Sequence, residues 1–246
     1  MRQEPVILLP QDTTELDFTG KKDIHGLGNI SSYENRQGFY LHPTLAVTPG
    51  RLCLGVVHTK IWTREEFGIK DKRKQKAIGE KESIRWIESF KATKELAKRL
   101  PGTLLVNIAD REGDIYEFFL ETERSREDQE EKAHWIIRAA QDRKLLNSDK
   151  KLWETVRTTK SLGSIEFHMP SGRGRKARIV KQEIYAAEVT LKSPQRVGQK
   201  LPNTKIQAVL ATEIEIPVGE KPIEWLLLVL SHLLRMSLKS VIRTRV

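Results

Sequence analysis

Two aspartates carry the chemistry this sequence offers. Asp12 lies in QDTTELDF and Asp110 in VNIADREGDIYEFF, each at the end of an apolar run of strand character. A carboxylate at a strand end sits at a sheet edge, where ligands bind. If sheet pairing brings the two together, they can hold a divalent cation, and hard Mg²⁺ takes oxygen ligands of this kind. Such a site normally needs a third acid, and residues 226–246 contain neither Asp nor Glu. Each aspartate also has a plainer reading. Asp110 suits the N-cap of a following helix, and Asp12 suits a solvent-facing strand position. Asp17, five residues beyond Asp12, falls on the opposite face of a strand. Glu112 and Asp114 suit the first turn of a helix. The six histidines have no metal-ligand spacing.

The elements that must position these residues follow from apolar periodicity. Residues 6–18 read as a strand, 20–38 as a polar loop, and 39–47 and 52–62 as antiparallel strands joined by a Pro49-Gly50 turn. Residues 63–79 form a charged loop. Residues 81–100 have helical spacing, with Trp86, Phe90, Ala97 and Leu100 on one face, Ile87 beside them, and Pro101-Gly102 as the stop. The continuous apolar run 104–109 predicts a strand buried on both faces. A helix over 113–123 follows, with Ile115, Phe118, Phe119 and Thr122 inward, and then a strand over 135–140. The order is β-β-β-α-β-α-β. Residues 152–228 alternate apolar and polar side chains in four runs separated by turn signals, which predicts an all-β subdomain inserted after the α/β part.

Composition narrows the partners. The 246 residues carry a formal net charge of +10 and a pI of about 9.6, so polyanions, DNA or RNA foremost, are the expected ligands. The basic residues cluster at 70–76, at Arg138, Arg143 and Lys144, and at 171–178. The Gly172-Arg-Gly-Arg-Lys176 run reads as a charged hairpin tip, with minor-groove entry as the alternative. Arg138 lies in an apolar strand, where it must point to a site or pair with an acid. Trp225 opens an apolar run and has a core position as its plain reading. No apolar run is long enough to span a membrane, and charges and prolines interrupt the first residues, unlike a secretory leader. Cys53 is the only cysteine, which excludes an internal disulfide and a cysteine-built zinc site and suits a cytoplasmic protein. It reads as an inert core residue.

Four motifs occur in one order: Gln11-Asp-Thr-Thr14, Glu80-Lys-Glu-Ser83 with Trp86, Asp110-Arg-Glu-Gly-Asp-Ile115, and Glu224-Trp-Leu-Leu-Leu228. In these the chain resembles the catalytic part of a DDE-type DNA transposase of the insertion-sequence-four class, over residues 7–228. The resemblance implies an α/β, ribonuclease-H-like mixed sheet over residues 1–150 and a β-rich insertion over 151–228. It implies Asp12 and Asp110 as catalytic, metal-binding carboxylates, Mg²⁺ as cofactor with Mn²⁺ able to substitute, and double-stranded DNA with transposon ends as substrate. It also implies Arg138, Arg143 and Lys144 on the DNA backbone, Trp225 against a flipped base, a dimer on DNA, and a bacterial, nucleoid-associated setting.

The sequence departs from the family at both ends. Eleven residues precede Asp12, where the family carries a DNA-binding region. The family's third acid, a Glu after a Tyr-x-x-Arg pattern, has no counterpart in the basic tail 229–246, which reads as the product of a frameshift. The expectation is a transposase fragment that cleaves DNA slowly or not at all by itself; a non-catalytic DNA-binding remnant is the alternative.

Overall fold

The computed structural model describes residues 1–21, 24–30, 35–64, 78–124, 133–172, 176–196 and 199–230. The basic run 70–76, the middle of 171–178, the Thr122 side chain and the tail from 231 on lie outside the described residues. The chain forms two compact units. One holds the described residues of Met1–Thr48 and Leu52–Ala109, and the other those of Pro49–Arg51, Asp110–Gln129 and His134–Val246.

The first unit contains β1 (Val6–Pro10), β2 (Thr14–Asp17), β3 (Gly28–Asn29), β4 (Gln37–Val47), β5 (Cys53–Trp62), α1 (Ile84–Arg99) and β6 (Leu104–Ala109). β1 lies between β4, antiparallel, and β6, parallel. The long strand β4 also pairs with β2, β3 and β5, all antiparallel. The single strand expected over 6–18 is interrupted. Leu8 faces Val47, Gln11 makes an isolated bridge to Thr44, and Thr14 faces Leu41. These steps match on both strands, so the register is unchanged, while the ladder to β4 is missing at Asp12 and Thr13. The loop expected over 20–38 contains the short strand β3. Gly38 is required where β2 and β4 meet, because a Cβ there would lie 2.1 Å from the Leu16 carbonyl oxygen.

Every residue of β6 is buried, as its unbroken apolar run requires. Trp86, Ile87, Phe90, Ala97 and Leu100 are buried too, and α1 presents this face to the core. At about 25 cal/mol per Å² of apolar surface removed from water, a fully buried Trp or Phe contributes on the order of 2–3 kcal/mol. Cys53, by contrast, is exposed, which corrects its expected core position. β5 has β4 as its paired strand, and its first four residues are exposed.

The second unit contains α2 (Tyr116–Arg124), most of β7 (Ala133–Arg138), α3 (Leu152–Arg157), β8 (Gly163–Met169), β9 (Arg178–Leu191), β10 (Thr204–Ile214) and β11 (Glu224–Val229). The strand order is β7-β11-β10-β9-β8, antiparallel throughout. Trp135 stacks on Phe119 at 5.3 Å and meets Phe118 edge-on at 5.9 Å, and all three rings are fully buried. Such pairs add about 0.5–1.5 kcal/mol beyond their area. α3 buries Leu152 and Val156, one helical turn apart.

The expected α/β, ribonuclease-H-like fold is corrected by these observations. Strand takes up 46% of the structure and helix 17%, so the protein is mostly β and not ribonuclease-H-like. Three α-helices stand among the described residues. The alternating runs after residue 162 account for this, because they form strands of 7, 14 and 11 residues. β11 pairs with β7, with Leu228 opposite Ile137, so the late strands continue the sheet that β7 begins.

Candidate functional site

The ends of β1 and β6 place the two aspartates. The strands run parallel in register from Val6 opposite Leu104 to Pro10 opposite Ile108, and Gln11 N donates to Ile108 O at 3.0 Å. Asp12 follows Pro10 by two residues in the first unit, and Asp110 follows Ile108 by two residues and opens the second unit. Asp12 is exposed, and its Oδ1 accepts from Thr13 N at 2.7 Å. Asp110 is half-buried, and its Oδ1 accepts from Glu112 N at 2.8 Å, capping the 3₁₀ turn Arg111–Gly113. Each carboxylate thus uses Oδ1 on a local amide, which is compatible with a cation at Oδ2. Among the described residues, no three His, Cys, Asp or Glu side chains form a metal-holding group.

Sequence reasoning missed what holds Asp12. Its neighbours Gln11 and Thr13 enter a buried polar chain in the first unit. Arg85 Nε donates to Thr13 Oγ1 at 2.8 Å. Thr13 Oγ1 lies 2.8 Å from His42 Nδ1, and His42 Nε2 lies 2.9 Å from Gln11 Oε1. Gln11 Nε2 donates to Asn107 Oδ1, Asn107 Nδ2 to Thr93 Oγ1 at 3.0 Å, and Thr93 Oγ1 to Ser89 O at 3.1 Å. Because Gln11 gives its amide protons to Asn107, it offers His42 a carbonyl oxygen. His42 must therefore carry its proton on Nε2 and accept the Thr13 hydroxyl proton at Nδ1.

His42 is fully buried, edge-on to Trp86 at 4.6 Å. Burial pushes its pKa down to about 3, helped by the positive charges of Arg85, His58 and Lys60. A neutral imidazole is the form the chain of bonds requires. Arg85 is itself buried and lies 5.4 Å from the rings of Trp62 and Trp86. The signal for His42 was present in the sequence, since Tyr40, His42, Thr44 and Ala46 alternate along one face of β4, all buried.

The other expected site residues lie in the second unit and play different parts. Arg138, at the end of β7, sits 5.5 Å from the Trp225 ring, and Leu227 is its partner across the ladder. Trp225 is half-buried. Arg143 turns inward. Its Nη2 pairs with Asp114 Oδ1 and donates to Asp114 O at 2.9 Å, and it lies 5.3 Å from the Phe119 ring. Asp114, expected in a helix first turn, is buried and also accepts from Ala140 N at 2.7 Å and Gln141 N at 3.0 Å. Lys144, next to Arg143, is exposed. Asp17 points away to Arg36, at 2.9 Å, and accepts from Thr19 N at 2.8 Å. Hydrogen bonds from Thr19, then the Arg36 guanidinium, lower its pKa to about 2.

No helix among the described residues is long and apolar enough to cross a membrane. No family model matches the chain.

Proposed function

We propose that this chain acts on double-stranded DNA as a metal-dependent phosphoryl-transfer domain of the DDE transposase kind, with Asp12 and Asp110 as its metal-binding carboxylates. The observation that carries the reading is the position of each aspartate just past the end of a strand, Asp12 after β1 and Asp110 after β6. The four ordered motifs and the charge of +10 support it. Bound Mg²⁺ would polarise the scissile phosphate and stabilise the attacking and leaving oxygens of an in-line displacement. The carboxylates' own part is to offer anionic oxygens fixed by local amide bonds. The fixed geometry of Asp12 comes from Gln11 and Thr13 on either side. Exposed lysines and Arg138 beside Trp225 supply the grip on DNA.

Two acids give a looser site than three, so cleavage by this chain is expected to be slow. The second reading is DNA binding without cleavage, favoured by the fact that the bonds each aspartate makes are local capping bonds. The experiment is nicking of supercoiled and linear double-stranded DNA with Mg²⁺ or Mn²⁺, beside Asp12→Asn and Asp110→Asn. Metal-dependent nicking lost in both variants supports the proposal. Binding with no nicking, or nicking that survives both substitutions, sinks it, and the first of these leaves the DNA-binding reading standing.

A further inference from the structure

A row of three lysines crosses the second unit where three chain segments lie side by side. Lys144 and Lys151 form an antiparallel bridge, with Leu152 N donating to Arg143 O at 3.0 Å. On the other side, Leu145 bridges Leu191, Lys192 N donates to Lys144 O at 3.0 Å, and Leu146 N donates to Thr190 O at 2.8 Å. That register sets Lys192 opposite Lys144. Directly opposed residues of an antiparallel pair share a face, so Lys151, Lys144 and Lys192 line up on one side. All three are exposed, while the neighbours Leu145, Leu152 and Leu191 are buried on the other side.

Like charges directly opposite one another are destabilising. Here the arrangement occurs twice in succession, and among the described residues no acidic side chain pairs with any of the three. The apolar packing beneath needs the leucines and makes no demand for lysine above. Neighbouring segments lie about 4.8 Å apart, so the row spans on the order of 10 Å. A DNA strand advances about 3.4 Å of helix axis per phosphate, so the row covers about three phosphates.

We infer that Lys144, Lys151 and Lys192 form a phosphate-binding row that holds the DNA backbone. The inference rests on the proposed DNA substrate and extends it. The resemblance pointed to Lys144, and the bridge geometry adds Lys151 and Lys192.

The test compares Lys144→Gln/Lys151→Gln/Lys192→Gln with a control, Lys98→Gln/Lys160→Gln/Lys221→Gln, which removes the same charge elsewhere. Affinity for a 30-base-pair duplex is measured against salt. Each phosphate contact contributes about 0.9 to the slope of log affinity on log salt. The row variant is expected to lose about two to three units of slope, the control less than one, and the row variant to melt no lower than the parent. Equal losses in the two variants would mean diffuse attraction and overturn the row. A lowered melting temperature would mean that the lysines serve the fold and would overturn it too. A parent that does not bind duplex DNA defeats both the row and the proposed substrate. Row-dependent binding without metal-dependent nicking defeats only the catalytic reading.

Discussion

Asp114 and Arg143 form a buried ion pair in which the carboxylate is fully enclosed and the guanidinium side chain is 9% exposed. Asp114 Oδ1 takes the arginine, and Oδ2 takes the backbone amides of Ala140 and Gln141. One side chain thus ties the entry to α2 to the chain just past β7. Arg143 in turn packs near the rings of Tyr116 and Phe119, at 5.8 and 5.3 Å.

This arrangement predicts unequal losses. Asp114→Ala strands a buried guanidinium and two amides, so it should cost about 3–5 kcal/mol in urea unfolding. Arg143→Met leaves the carboxylate with its two amide donors and keeps the apolar stem over the rings, so its cost should be smaller. Equal losses would mean that the amide bonds contribute nothing.

His42 sets an acid limit on the first unit. Its folded pKa is about 3 against an ordinary 6.5, so the unfolded chain binds the extra proton between those values. The stabilisation is fully present above pH 6.5 and is lost as pH falls toward 3, at up to about 1.4 kcal/mol per pH unit. His42→Gln should be less stable at pH 7 and should have a flatter profile from pH 6.5 to 4.5. Urea unfolding across that range checks both, and a parallel profile would show that His42 does not titrate on unfolding.

Much of the first unit could be read from local pattern. The Pro49-Gly50 turn, the alternation of β4 and the closed apolar run of β6 are signals within a few residues of one another. α1 showed itself through Trp86 and Phe90, four residues apart. The break at Asp12 and Thr13 did not, because those residues continue the strand pattern and only pairing partners far away in sequence reveal the missing ladder. α3 escaped notice because its buried face is just Leu152 and Val156, inside a stretch rich in alternation. The fold class failed for a related reason: whether β11 joins β7 or closes a separate sheet depends on residues about 90 apart, which periodicity does not encode. In the same way Asp114 reads locally as a helix-turn acid, and its true partner lies 29 residues on.

Thr13 offers the sharpest test of how Asp12 is held. Its hydroxyl accepts from Arg85 and donates to His42, while its amide donates to the Asp12 carboxylate. Thr13→Val keeps the shape and removes the hydroxyl, leaving a buried guanidinium nitrogen and His42 Nδ1 without their shared partner. An unsatisfied buried group costs about 1–3 kcal/mol. Thr13→Ser keeps the hydroxyl and should lose under about 1 kcal/mol. If the chain exists to orient Asp12, Thr13→Val should also weaken Mn²⁺ binding by about tenfold, in the range seen for residues that orient metal ligands, while Thr13→Ser restores it. Hydrogen exchange at the Thr13 amide gives a readout without metal: it should quicken in Thr13→Val and not in Thr13→Ser. A valine variant that loses stability while exchange at Thr13 and Mn²⁺ affinity stay at the parent's level would make the chain a packing device with no part in placing Asp12.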